Sequence, residues 1–521
     1  MEFAIAGVFS RSVTAELDNG ERFETAKEIT IFLNGQQRMT TRRNVFTLTG
    51  LLPDTTYELS VSDGQETAAH SFRTKRESVL LNVRRFGAVG DGKRDDTAAI
   101  QAAILSCPKD GTVYIPKGTY FVTPLFLKSD MTLCLGEGAT LLADPDRRHY
   151  PILPGMTRAS NEKDEEEYNL ASWEGNPLDA FASLITGIHV SNVDITGPGV
   201  LDGNADHSDW WQEPRIRRGA WRPNILFFNH CTNIRVQNLS IQNSPGWAVH
   251  PYYSDHLQFL NLTITNPYNS PNTDGFDPES CTDVTLLGSV ISVGDDCIAI
   301  KSGKIYMAVN HFKRTDKVAI RNCLLERGHG SVTIGSEIAG GVTNVRVSQC
   351  IFRETDRGLR VKTRRGRGEK SLLDDIVFEN ITMDRVHMPV TLNMFYFCDP
   401  DGHSDYVQDQ APAPVDDKTP EIGRITLRNA ECSGISASFL CAVGLPERPI
   451  RGITIENVSV SFLPEGEREP EHPVMMDNFP ALSGVGIYAQ NVETLTLRNV
   501  SMEGDTKGEP CLYNVAQFCT M

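Results

Sequence analysis

The sequence predicts an all-β fold, a parallel β-helix preceded by a small β-sandwich. Three observations predict it. Short strand–turn–strand units recur beyond residue 180, most of them with Asn at the turn. The first 75 or so residues alternate apolar and polar side chains between turn residues instead. A helical spacing of apolar residues is found in one place, residues 95–105.

The N-terminal segment reads as a sandwich over residues 1–78, with the boundary near Lys75–Ser78. Two alternating segments between Val45 and Val61 flank a Pro53-Asp54 turn, the mark of an antiparallel strand pair. Leu52-Pro53-Asp54-Thr55-Thr56-Tyr57 resembles the late-strand corner of fibronectin type III domains, where a Tyr packs at the sheet corner. The remainder, residues 79–521, is assigned to the β-helix. It begins with a Gly-rich turn leading to Asp95 or Asp96 as a helix N-cap, with Ile100, Ala103 and Ile104 on one helical face. Such a helix would cover one open end of a solenoid, as terminal repeats must.

The coils follow from their turn residues. Asn238, Asn261, Gly288, Asn322, Gln349, Asn380, Asn429, Asn457 and Asn499 occupy one position of the repeat. Asn and Gly tolerate the left-handed backbone such a turn requires. Steps of 27, 34 and 27 residues from 261 to 349 lie in the solenoid range. No helical pattern separates the strands, which leaves the β-helix. The Asn-X-Ser/Thr sequons on this row are read as turn chemistry rather than as glycosylation sites.

Composition excludes several function classes. The chain has 521 residues, 50 basic against 67 acidic, and a net charge of −17. So acidic a protein is a poor coat for nucleic acid or an anionic membrane. No apolar run is long enough to span a bilayer. The N-terminus starts with an acidic charge and lacks a leader-like cleavage site, so the expectation is a cytoplasmic chain. The twelve Cys show neither CxxC pairs nor zinc spacing and read as reduced, buried thiols; no metal and no cofactor are expected. The acidic run Glu162–Glu167 reads as a solvated loop.

Four polar motifs interrupt the repeats: Asn272-Thr273-Asp274-Gly275, Gly294-Asp295-Asp296, Gly328-His329-Gly330 and Arg360-Val361-Lys362. The steps between Asp274, Asp296, His329 and Arg360 are 22, 33 and 31 residues, about one coil each. Residues one coil apart stack at about 4.8 Å, so the motifs should form one stripe. Asp295 and Asp296 would face opposite ways in a regular strand, and burying one unpaired is too costly. The chain should therefore bend there, crowding three carboxyls together and raising one pKa. A carboxyl that keeps its proton beside ionised ones suits acid/base hydrolysis of a glycosidic bond. Residues 353–370 add eight basic side chains against three acidic, a field suited to carboxylate recognition.

In this order and at this spacing the motifs resemble glycoside hydrolase family 28, the polygalacturonases. The similarity runs over residues 84 to about 400. It implies a right-handed β-helix, no metal, and hydrolysis of α-1,4-galacturonosidic bonds with inversion. By resemblance, Asp295 is the general acid, Asp274 and Asp296 activate water, and His329 tunes the acid. Asn272 belongs to the first motif and is expected on the substrate. Arg360 and Lys362 hold a substrate carboxylate, with Lys301 adding to the same field. Tyr396, next to Phe395, matches a family Tyr about one coil further on. Inversion leads us to expect the acid and base carboxyls roughly 6.5–9.5 Å apart. The expected partner is a pectic oligo- or polysaccharide, cut from its end if the insertions at 144–182 or 204–222 close the cleft.

Rival readings stay open at this point. Rhamnogalacturonan or xylogalacturonan could replace galacturonan. A Ca²⁺-dependent pectate lyase could use Asp274, Asp277, Glu279, Asp295 and Asp296 as oxygen ligands. A non-catalytic sugar-binding solenoid is a third. Trp210, Trp211 and Trp221, within one insertion, could stack on sugar or simply pack that insertion.

Overall fold

The computed structural model describes residues 2–158, 167–506 and 508–521. The acidic run therefore lies outside the described residues except for Glu167. Strands of the repeat region pair in parallel with strands one coil further along, in a continuous sheet order. Three faces result. On the first, Leu257, Val284, Val318, Val345, Ile376, Ile425, Ile453 and Leu495 stack in register. On the second, Ile241, Ile264, Ile291, Leu325, Phe352 and Met383 do so. On the third, Val249, Phe276, Ile298, Val332, Leu359, Val390, Leu440 and Ile487 follow one another. These rows point inward and form one buried core.

The nine turn residues read from the sequence separate the first face from the second. All adopt positive φ, from 49° at Asn499 to 66° at Gly288. Their amides form ladders: Asn261 donates to Asn238, Asn457 to Asn429 and Asn499 to Asn457, each at 3.0 Å. A second row at positive φ, including Asn233, His256, Asp283, Lys317 and Asn344, lies near the start of the first-face strands. Its mixed residue types hid it from sequence reading. All twelve Cys are free, and Cys323 and Cys350 are fully buried.

The expected helix spans Thr97–Ser106 and buries Ile100, Ala103 and Ile104 in the solenoid core. Asp95 caps it through the Thr97 amide at 2.9 Å. Asp96 instead accepts from the Val89 and Gly90 amides, fixing the preceding Gly-rich turn.

Residues 2–73 build two antiparallel sheets around a core that includes Phe3, Val13, Ile31, Phe46, Leu59 and Val61. The predicted strand pair within Val45–Val61 is corrected here. Val45–Thr49 pairs with Ser12–Asp18, whereas Thr56–Ser62 pairs with Glu24–Leu33 and Thr67–Arg73 in the other sheet. The Pro53-Asp54 turn is a corner between sheets. Tyr57 Oη secures it by accepting from the Leu52 amide at 2.9 Å. The sandwich rests on the solenoid's Asn turns: Phe9 and Val45 pack on Leu260 and Leu287, and Glu16 pairs with Arg321 at 2.8 Å.

Candidate active site

The site lies where the second face turns into the third. There the second-face strands shrink to three residues, Thr263–Thr265, Val290–Ser292, Leu324–Glu326 and Ile351–Arg353. The loops that follow carry Asp274, Asp295 and Asp296, and His329, in successive coils. Main-chain bonds stack them: Gly275 N donates to Asp296 O, His329 N to Asp295 O and Cys297 N to Gly330 O, all within 2.8–3.0 Å. Gly330 is required by this stacking, since a Cβ there would sit 2.6 Å from Asp296 Oδ1. Arg360 and Lys362 leave the third-face strand Arg357–Lys362 on its outward side, one residue to either side of buried Val361.

The stripe forms as expected. Each of Asp274, Asp295 and Asp296 offers an oxygen within 4.8 Å of the others. Arg360 donates to Asp296 Oδ1 at 3.1 Å and Lys362 to Asp296 Oδ2 at 2.8 Å. His329 Nδ1 lies 3.4 Å from Asp295 Oδ1. Lys362 Nζ sits 5.5 Å from the Tyr396 ring centroid, whereas Phe395 is wholly buried in the core, so Tyr396 is the ring that joins the site. The chain bends at Asp295-Asp296 as foreseen: Asp296 is 1% exposed and Asp295 24%.

The electrostatics divide the three carboxyls. Burial would push Asp296 up, but Lys362 and Arg360 hold it well below the ordinary carboxylate range. Asp274 goes the other way, driven first by burial and then by the charges of Asp295 and Asp277. Of the three, it is the one whose neutral form burial favours. The imidazole of His329 is raised by its contact with Asp295, against the effect of burial.

Three expectations need correction. The nearest oxygens of the three carboxyls lie within 4.8 Å of one another rather than 6.5–9.5 Å apart, because Asp295 and Asp296 are adjacent in the chain and Asp274 stacks one coil away. A water at about 2.8 Å from each of two oxygens spans roughly 4.6 Å at a tetrahedral angle, so this spacing still holds one. The basic run is not a free cationic field. Arg364 pairs with Asp401, Arg365 with Glu447 and Arg367 with Asp399, at 2.6–2.8 Å. Their acids come from loops distant in sequence, which a local count cannot see. Lys301 is likewise spent inside the protein, 3.0 Å from Glu337, 3.7 Å from Asp277 and over the Trp247 ring.

The calcium ligands of the lyase reading also disperse. Glu279 is fully buried against His250 at 2.9 Å, and Asp277 lies beside Lys301; neither joins the Asp274–Asp295–Asp296 group. Both oxygens of Asp296 already face cations. Trp210 is buried against Tyr150 and Phe181, and Trp211 Nε1 donates to Ser244 O, so both pack their insertion. Trp221 instead stacks on Trp173, centroids 4.9 Å apart and rings within 3° of parallel. Trp173 was not singled out by any motif.

Arg222 was also missed. It is buried, lies 5.0 Å from the Trp173 centroid, and donates to Pro245 O, Pro271 O and Asn272 Oδ1. Asn272 is thus the strut between Arg222 and the Asp274 loop. A lone Arg in an insertion carries no sequence signal of this role.

The chain matches the model of glycosyl hydrolases family 28 over residues 161–462. Residues 80–148 match a model described as rhamnogalacturonase A/epimerase, pectate lyase-like. A probable polygalacturonase from Vitis vinifera is 30% identical over 395 residues, covering 74% of this chain and 75% of that one. An exopolygalacturonase from Zea mays is 27% identical, covering 73% and 83%. A solved family 28 exopolygalacturonase from Yersinia enterocolitica shares the fold, with a TM-score of 0.74 at 20% identity, over 99% of this chain and 98% of that one.

Proposed function

The chain belongs to glycosyl hydrolases family 28, and on that premise we propose that it hydrolyses α-1,4-galacturonosidic bonds, releasing sugar from chain ends. One observation carries the reaction. A carboxylate pinned in its ionised form, Asp296, stands within 4.8 Å of an accessible carboxyl, Asp295, that contacts His329.

In this reading Asp295 hands its proton to the glycosidic oxygen as the bond to C1 breaks. A water between Asp274 and Asp296 attacks C1 from the other side and loses a proton to that pair, Asp296 being its ionised member. His329, whose raised pKa favours the imidazolium, restores the proton to Asp295. Arg360 and Lys362 orient Asp296 and turn their remaining N–H groups to a uronate carboxylate, with Tyr396 beside them. Inversion gives a β-configured reducing end from an α-linkage.

The test is product analysis on polygalacturonate. Reducing ends should appear without the ultraviolet absorbance of an unsaturated product, in EDTA as well as without it. Early NMR spectra should show the β-anomer. An EDTA-sensitive rise in absorbance would establish elimination instead.

A further inference from the structure

The loop between the strands Ile450–Phe462 and Val485–Glu503 returns to the active site at one residue, Met475. Glu471 and Leu482 close the loop by exchanging main-chain bonds of 3.0 and 2.8 Å. Val474 and Met476 are 2% and 5% exposed and belong to the solenoid core. Met475, between them, is half-buried and turns the other way, with Sδ 3.6 Å from Arg360 Nη2. Neighbours facing the core and a middle residue facing the groove are the alternation of an extended segment.

The strand that bears Arg360 fixes this segment. Arg357, on the same strand, donates to His472 O at 3.0 Å and to Pro473 O at 3.2 Å. Asn393 Nδ2, one coil further on, donates to Met475 O at 3.2 Å. Glu471 pairs with His387 at 2.6 Å. The thioether is therefore held against the guanidinium from both sides.

Arg360 meets two acceptors of unequal strength. Nη1 donates to the Asp296 carboxylate at 3.1 Å, whereas Nη2 faces a thioether, a weak acceptor. A weak acceptor gives up its N–H to an incoming carboxylate at little cost, since bonds to ionised oxygen are the stronger ones. A strong neutral acceptor in its place would compete. Oxidation of the sulfur makes one, because methionine sulfoxide is polar where methionine is apolar.

We propose that Met475 is an oxidation site that controls uronate binding: its sulfoxide oxygen takes the Arg360 N–H that the substrate carboxylate uses. This rests on the reading above, in which Arg360 holds that carboxylate. The oxidant is a peroxide. An S–O bond forms as the peroxide O–O bond breaks; the sulfur gives up two electrons, and the departing hydroxide takes the proton of the transferred oxygen and leaves as water. The sulfur already stands 3.6 Å from Nη2, so an oxygen bonded to it reaches the same nitrogen with a small turn of the side chain. Methionine sulfoxide reductases reverse the step, one type for each sulfoxide epimer.

The experiment treats the whole chain with hydrogen peroxide and then with a thiol reductant. The reductant reverses sulfenic acids and disulfides at Cys, exposed Cys398 included, and leaves methionine sulfoxide. Peptide mass spectrometry should find one added oxygen at Met475. KM for trigalacturonate should rise at least roughly tenfold, the loss of one charge-assisted hydrogen bond, with kcat changed less because Nη1 keeps Asp296. The two reductase types together should restore KM. Met475→Leu, a hydrophobic swap of similar volume, should show the same KM before and after peroxide. Met475→Gln, which sets an amide oxygen beside Nη2, should show the raised KM without peroxide. A sulfoxide at Met475 with KM unmoved overturns the proposal. So does a Met475→Leu protein that peroxide weakens as it does the wild type, or a Met475 left unoxidised while Met521, 72% exposed, reacts. Calorimetric affinity for trigalacturonate in the Asp295→Asn protein, before and after peroxide, decides the question without turnover. A wild type that forms no reducing ends, beside an affinity that falls on oxidation, would overturn the hydrolytic reading and leave the Met475 site standing. A chain that neither cuts nor binds galacturonan overturns both.

Discussion

Coils 263–362 and coils 424–503 are built on one repeat and differ in what interrupts it. In the later coils the strands Arg424–Ile435, Ile450–Phe462 and Val485–Glu503 run unbroken through the Asn turn. In the earlier coils the second-face strand is cut to three residues, and the loop after it carries a carboxylate or an imidazole. The register is common to both. The row holding Arg360 continues through Thr391, Cys441 and Tyr488; the row holding Lys362 continues through Asn393, Val443 and Gln490. Periodicity therefore supplies positions, and only certain coils fill them with chemistry.

The sharpest test of that separation is Asp295→Asn. The substitution is nearly isosteric and partly exposed, so folding should be unaffected. Loss of a general acid should lower kcat roughly 10³-fold. Steady-state kinetics beside a thermal melt would check both halves. A melt shifted as strongly as kcat would show that the stripe is part of the scaffold and break the comparison.

Arg365→Ala should do the reverse. Its guanidinium and the Glu447 carboxylate are 3% and 4% exposed, with Nε 2.6 Å from Oε1. Removing one member of a buried pair leaves the other unpaired and costs about 3–5 kcal/mol. KM for oligogalacturonides should hold in whatever protein remains folded, measured well below its lowered midpoint. A raised KM would restore the basic run to substrate recognition.

That run shows where sequence reading ends. Coil spacing was legible because one residue type, Asn, recurs at one conformation. The stripe was legible because its four motifs keep the coil step. Their ion-pair partners were not, since Asp399, Asp401 and Glu447 come from loops that obey no repeat. Arg222 and Trp173 escaped for the same reason: they sit in insertions, and only the fold brings them, through Asn272, to the Asp274 loop. The two strands flanking Pro53-Asp54 were correctly seen as strands but wrongly paired, because alternation reports burial and not the neighbour.

Asp274→Asn tests whether the site coils carry a stability cost that the later coils lack. The Asp274 carboxyl has a folded-state pKa above its unfolded value, chiefly through burial. Its contribution is therefore fully present below the unfolded carboxylate range and is lost as pH rises through the raised value. The amide has no such dependence. The variant should match the wild type near pH 3.5 and exceed it in melting midpoint at pH 8, while losing activity. Melting midpoints at the two pH values give the sign; a variant weaker than wild type at pH 8 would show Asp274 to be a stabilising anion for Lys301.

The smallest effect belongs to the uninterrupted coils. Asn457 has φ 52°, is exposed, donates to Asn429 and accepts from Asn499. Asn457→Ala keeps neither the left-handed preference nor the ladder and should cost about 1–2 kcal/mol. Asn457→Gly restores the backbone freedom and isolates the ladder, whose two exposed bonds should be worth less than about 1 kcal/mol. Both variants should retain wild-type kcat and KM, since the same turn lies several coils from Asp295. Denaturant unfolding of the pair measures how much of each coil rests on φ and how much on the amide column. A change in KM with either would mean that strain in one coil reaches the groove through the stack, and the division between scaffold and site would have to be redrawn coil by coil.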